Sequence, residues 1–70
     1  MVTLSRIKWD QHGTCFFWDG PWVISFRQKP DGIHVEAGHF RSKKVYTIHS
    51  NEKSALAWAR AWHDEIKNRG

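Results

Sequence analysis

The spacing of hydrophobic positions along this chain changes period once. Residues 2–49 read as short β-rich runs separated by turn residues, and from about Asn51 to Lys67 the pattern is helical. Residues 2–9 alternate as a strand, Asp10, Gln11, His12 and Gly13 supply a turn, and residues 14–18 form a second short strand. This predicts an N-terminal hairpin over residues 2–18. Asp19, Gly20 and Pro21 interrupt the chain again. Proline has no amide hydrogen for a ladder bond, which puts Pro21 at the start of the next strand or on an edge. Residues 22–28 are that next strand.

The clearest turn is Lys29, Pro30, Asp31 and Gly32, with proline suited to the first central position and glycine to a positive φ at the end. It joins the strand starting at Trp22 to one over residues 33–37. Trp22, Ile24 and Phe26 fall on one face, with Val23, Ser25 and Arg27 on the other; Ile33, Val35 and Ala37 likewise oppose His34 and Glu36. One apolar and one mixed face predict a sheet covered on a single side. After a basic turn at Arg41, Ser42, Lys43 and Lys44, residues 45–48 complete a three-stranded meander over residues 22–49.

Ser50 or Asn51 is placed to cap the helix, and Glu52 lies at its positive dipole end. At 100° per residue Ala55, Trp58, Ala59, Trp62 and Ile66 form one stripe, opposite Arg60, Asp64 and Lys67. The apolar sheet face is the natural acceptor for that stripe. The expected fold is therefore α+β: an antiparallel meander sheet of three to five strands packed on one C-terminal helix over residues 51–68, in a single domain spanning residues 1–70.

Composition narrows the function. Seventy residues, 40% hydrophobic and 14% aromatic with five tryptophans, can fill one small core but leave little room for a deep cleft. The lone Cys15 excludes an internal disulfide and favours a reducing compartment. No apolar run has the length of a signal-peptide core or a membrane span, which predicts a soluble, cytoplasmic protein without a membrane partner. Met1 and the polar Lys67, Asn68, Arg69 and Gly70 ending suggest a complete small open reading frame.

Catalysis and cofactors find little support. The five histidines lack zinc-ligand spacing, so no metal is expected. Cys15 stands beside Phe16 and Phe17 in an apolar run, where a thiol is an inert small hydrophobe. The carboxylates are scattered, and no glycine-rich phosphate loop occurs. The expectation is a protein that is not an enzyme and carries no cofactor.

The net charge of +4 and sequence pI near 9.7 suggest an acidic partner. The excess lies in the sheet region, where Arg27, Lys29, Arg41, Lys43 and Lys44 face only Asp31 and Glu36. Turns carrying Lys29 at one end and Arg41, Lys43 and Lys44 at the other can grip phosphates, with Arg27 and His34 near base edges. The plainer reading is that basic turns keep edge strands soluble. Among the aromatics, Trp22, Trp58 and Trp62 fit the core. Trp9, Phe16 and Trp18 are harder to bury and are candidate partner-binding rings, for bases or for protein.

The segment from Trp22 to about Glu65, with its strand, glycine turn at Gly32, basic turn, strand through Tyr46 and helix opened by Ser50 and Asn51, resembles the small DNA-binding domains at the N-termini of tyrosine recombinases and the plant ethylene-response-type domains. The resemblance implies that the exposed sheet face reads the major groove through Arg27, His34, Arg41, Lys43, Lys44 and Tyr46. The Gly-Lys-Arg turn of those families is absent, and residues 2–18 have no counterpart in their minimal domain. The expected function is nucleic-acid binding, of double-stranded DNA ahead of RNA. The alternative is a small protein-binding adaptor or inhibitor, of the kind viruses and mobile elements encode, acting through exposed aromatics and an edge strand. A homodimer is a further expectation, because a small core and an open edge both gain from covering.

Overall fold

Tight turns at glycine and proline set the topology. The computed structural model of the chain describes residues 6–69. Four strands, β1 (Thr14–Asp19), β2 (Trp22–Lys29), β3 (Gly32–His39) and β4 (Val45–His49), form one antiparallel meander in the order β1-β2-β3-β4, and a single helix, α1 (Glu52–Arg69), packs on one of its faces. Asp19 pairs with Trp22 across Gly20 and Pro21, and Lys29 pairs with Gly32 across Pro30 and Asp31. Gly32 has a φ of 139°, and a Cβ there would stand 2.5 Å from the His49 carbonyl oxygen, so both dihedral and space demand glycine.

The register puts Cys15, Phe17, Ile24, Phe26, Ile33, Val35, Ala37, Thr47 and His49 on the helix side of the sheet. Phe26, Val35 and Ala37 are fully buried there, as are Ala55 and Ala59 of α1. The two alanines let the helix approach the sheet closely. Trp58 and Trp62 flank them, half-buried, against His49 of β4 and Trp22 of β2. By His63 the helix has reached Phe17 and Asp19 of β1, so it crosses the sheet obliquely from β4 to β1. Asn51 provides the cap, its Oδ1 accepting the Ser54 amide at 2.8 Å.

Among the described residues, the first strand of the expected N-terminal hairpin over residues 2–18 is not seen. Residues 2–5 of its first strand lie outside the described residues, and residues 6–9 are not a strand. Among the described residues β1 pairs with β2 alone, which places it at an edge of the sheet. The Asp10 carboxylate folds the preceding turn onto itself, accepting the amides of His12 and Thr14 at 2.8 and 3.0 Å and the Thr14 hydroxyl at 2.5 Å. The chain before it then carries Ile7 and Trp9 to the core instead of along a ladder: Ile7 is buried in the main cluster and Trp9 packs on it. Among the described residues, no helix is long and apolar enough to cross a membrane.

Candidate functional site

The sheet face turned away from α1 collects most of the candidate residues. Its side chains line up in rows across the strands: Trp18, Val23 and Gly38; Phe16, Ser25, Glu36 and Tyr46; Thr14, Arg27, His34 and Ile48. Phe16, Trp18 and Tyr46 are each more than half exposed, and Ile48 is 49% exposed. Phe16 and Trp18 lie on an edge strand beside Ser25 and Val23, so no large side chain on β2 covers either ring. The outer strands thus carry exposed rings and aliphatic groups, and the two inner strands carry polar and charged ones along most of their length, giving way to buried Val23 and Gly38 at the Trp18 end.

Arg27, Lys29, His34 and Tyr46 converge, with Ser25 and Glu36, around a cleft of about 140 Å³. This is below the ~300–1,000 Å³ of pockets that enclose drug-sized ligands, and suits a single planar group or a phosphate. His34 is held at both ring nitrogens. Its Nε2–H donates to Asp31 Oδ1 at 2.8 Å, and its Nδ1 is bonded to the Tyr46 hydroxyl. The hydrogen bond from His34 is the main cause holding the Asp31 carboxyl below its ordinary value of 3.8. With a side chain only 12% exposed, His34 does not present a free ring nitrogen to base edges, as the sequence had suggested. It orients the Tyr46 hydroxyl instead.

The remaining cations are distributed at the ends. Lys44 Cγ passes 3.1 Å from where a Cβ on Gly38 would stand, so its stem lies over that glycine on the open face. Arg41 and Lys43 are exposed in the loop between β3 and β4. The Arg41 guanidinium stands 5.2 Å from the centre of the Phe40 ring, which itself stacks on His39. Lys29 lies at the opposite end of β2, six residues away along β3 from the Lys44 crossing, about 20 Å at ~3.3 Å per residue.

Trp9 does not join this surface. It is half-buried on the helix side, and its indole Nε1–H donates to Glu52 Oε1 at 2.6 Å. Its place in the core follows from residues 6–9 packing under the sheet instead of forming a strand. Cys15 is also on the helix side, packed against the core.

Two associations were not read from the sequence. The Asp31, His34 and Tyr46 relay depends on register: His34 opposes Ile48, which makes Tyr46 its diagonal neighbour, within reach of an aromatic side chain. His63 is 6% exposed and donates from Nε2 to Asp19 Oδ2 at 2.6 Å. Its signal was its place four residues after Ala59 on the apolar stripe. A second, open hollow of about 400 Å³ lies between the turn from β2 to β3 and the start of α1, lined by Lys29, Asp31, Asn51 and Glu52 among others. Among the described residues, no group of three or more His, Cys, Asp or Glu side chains is arranged to hold a metal ion. No protein-family model matches the chain, and comparison with characterised proteins and with solved structures likewise finds no match.

Proposed function

We propose that this chain is a non-enzymatic nucleic-acid-binding module that meets its partner with the open face of the sheet. The observation that carries the reading is the interleaving of exposed Phe16, Trp18 and Tyr46 with Arg27, Lys29 and Lys44 on one surface, continued by Arg41 and Lys43 at its end. Cations attract a polyanion through release of its counterions, and rings beside them give the bases an apolar contact. The resemblance to sheet-based DNA-binding domains supports this face as the surface that meets nucleic acid.

The test is a fluorescence-anisotropy titration with mixed-sequence DNA at several salt concentrations. The expected result is a log affinity that falls linearly with log salt, and a uniform loss across sequences for Lys43→Ala combined with Lys44→Ala. Absence of binding at about 10⁻⁴ M protein in low salt overturns the reading, because non-specific binders reach Kd values of about 10⁻⁴ to 10⁻⁶ M even at physiological salt. A second reading, a protein-docking face, is favoured by the exposed rings and aliphatic groups along both outer strands, with Phe16 and Trp18 on β1 and Tyr46 and Ile48 on β4. Its mark is partner binding with little dependence on salt.

A further inference from the structure

Granting that the open face binds nucleic acid, we infer that it takes single-stranded nucleic acid, with unpaired bases stacked on Trp18 and Phe16 and the backbone running along the strands over Arg27 and Lys29. Three observations point this way. The first is width. Four strands at a spacing of 4.7–4.9 Å put β1 and β4 about 14–15 Å apart before side chains are added. The major groove of B-DNA is about 12 Å wide and admits a two-stranded ribbon or a helix. The whole face does not fit in it.

The second observation is the spacing of the rings. Phe16 and Trp18 are two residues apart on one face, about 6.7 Å along the strand. Bases within a duplex are stacked on one another at about 3.4 Å and offer only their edges to a protein. Rings set at twice that interval can each cover a base only where neighbouring bases have separated, which an unpaired strand permits at little cost.

The third observation is the layout of charge between the outer strands. Trp18 and Phe16 form one wall of a shallow trough and Tyr46 and Ile48 the other. Lys44 crosses its floor at one end, with Arg27 and then Lys29 towards the other. Those cations are spaced along about 20 Å of the strand direction, which is the length of at most about six stacked nucleotides at 3.4 Å each. Glu36 stands in the middle of the floor, where a carboxylate repels phosphate but accepts from the amino group of a base. Phosphates are therefore expected over the ends of the trough and base edges over its centre.

The experiment compares a fluorescent mixed-sequence 12-nucleotide single strand with the blunt duplex of the same sequence, on the full chain at low and moderate salt. The expected result is tighter binding of the single strand, weakened about 5- to 150-fold by Trp18→Ala or Phe16→Ala, the range associated with losing one base–ring stack. Trp18→Phe restores most of the loss, and Lys67→Gln, which removes a positive charge from exposed α1, changes binding less than twofold. Circular dichroism of each variant checks that the sheet is retained, which the exposure of both rings favours. Duplex binding at least as tight as the single strand, or single-strand binding indifferent to both ring deletions, overturns this inference while leaving the broader reading standing. Failure of both nucleic acids to bind overturns both, and directs the same variants to a search for a protein partner.

Discussion

His63 Nε2 donates to Asp19 Oδ2 at 2.6 Å, joining the buried side of α1 to the last residue of β1 across 44 positions of sequence. The same imidazole meets the Phe17 ring edge-on at 5.3 Å. Asp19 is thus the one acidic side chain that β1 turns toward the helix, and it supplies the partner that a buried ring nitrogen needs. Asp19→Ala leaves that nitrogen unpaired and is expected to cost about 1–3 kcal/mol. In a domain of this size each kcal/mol lowers the melting temperature by roughly 4–8 °C. Adding His63→Leu removes the orphaned donor, so the double variant should recover part of the loss. Urea denaturation of both single variants and the double measures the coupling, and strictly additive losses would show that the contact contributes nothing of its own.

Gly20 and Gly32 separate two reasons for glycine at a hairpin. Gly20 has a φ of 61° with nothing within 4 Å of its missing Cβ, whereas Gly32 has a φ of 139° and faces the His49 carbonyl oxygen at 2.5 Å. Gly20→Ala carries only the left-handed backbone cost of about 1–2 kcal/mol. Gly32→Ala carries backbone strain together with displacement of the end of β4, and should be the more damaging of the two. Thermal melts of the pair order the effects. Amide exchange should report the Gly32 variant opening first between β3 and β4.

The contrast between those turns and the N-terminal segment explains which features were legible in the sequence. The three hairpin and meander strands after Pro21, the β1 segment and α1 were readable because turn chemistry bounded each of them and a period of two or of 3.6 filled the interval. The alternation that ends in Ile7 and Trp9 has the same period whether it builds a ladder or packs apolar groups under a sheet, and nothing local distinguishes the two. The surface cations Arg27, Lys29 and Lys44 could be placed from strand parity and turn position. The His34 relay could not, because it needs the register that makes Tyr46 a diagonal neighbour. His63 was obscured because a histidine on an apolar stripe gains its meaning only from the carboxylate opposite it.

Trp9 yields a prediction from that misplaced segment. Its indole donates to Glu52 in the first turn of α1, so it holds the N-terminal segment to the helix while its ring covers the core. Trp9→Phe keeps most of the apolar area and loses the hydrogen bond, with an expected cost of about 0.5–1.5 kcal/mol. Trp9→Ala also loses the buried ring and should cost more. If Trp9 were a partner-binding ring, these variants would weaken binding without altering the melt. The expected outcome is the reverse: a lower melting temperature, with nucleic-acid affinity preserved where the variant is folded.

Acid stability follows from two carboxylates at turns. The Thr14 side-chain hydroxyl and then its amide are the leading causes that hold Asp10 below its ordinary value of 3.8, and the His34 hydrogen bond does so for Asp31. A group whose folded value is depressed contributes its stabilisation in full above the unfolded value and loses it as pH falls through the folded one. Both contributions are therefore intact at neutral pH and decline below about pH 4, where protonation removes the charge that Thr14 and His34 recognise. Urea midpoints measured from pH 6 down to pH 2 should fall at the acid end. Asp10→Asn and Asp31→Asn should each flatten that fall, because the substituted amide does not titrate. A variant whose acid slope matches the parent's would show that its carboxylate gains nothing on folding. Because the Asp31 bond also holds His34 against Tyr46, Asp31→Asn should additionally shift the Tyr46 ring resonances at neutral pH, a change that Asp10→Asn should not produce.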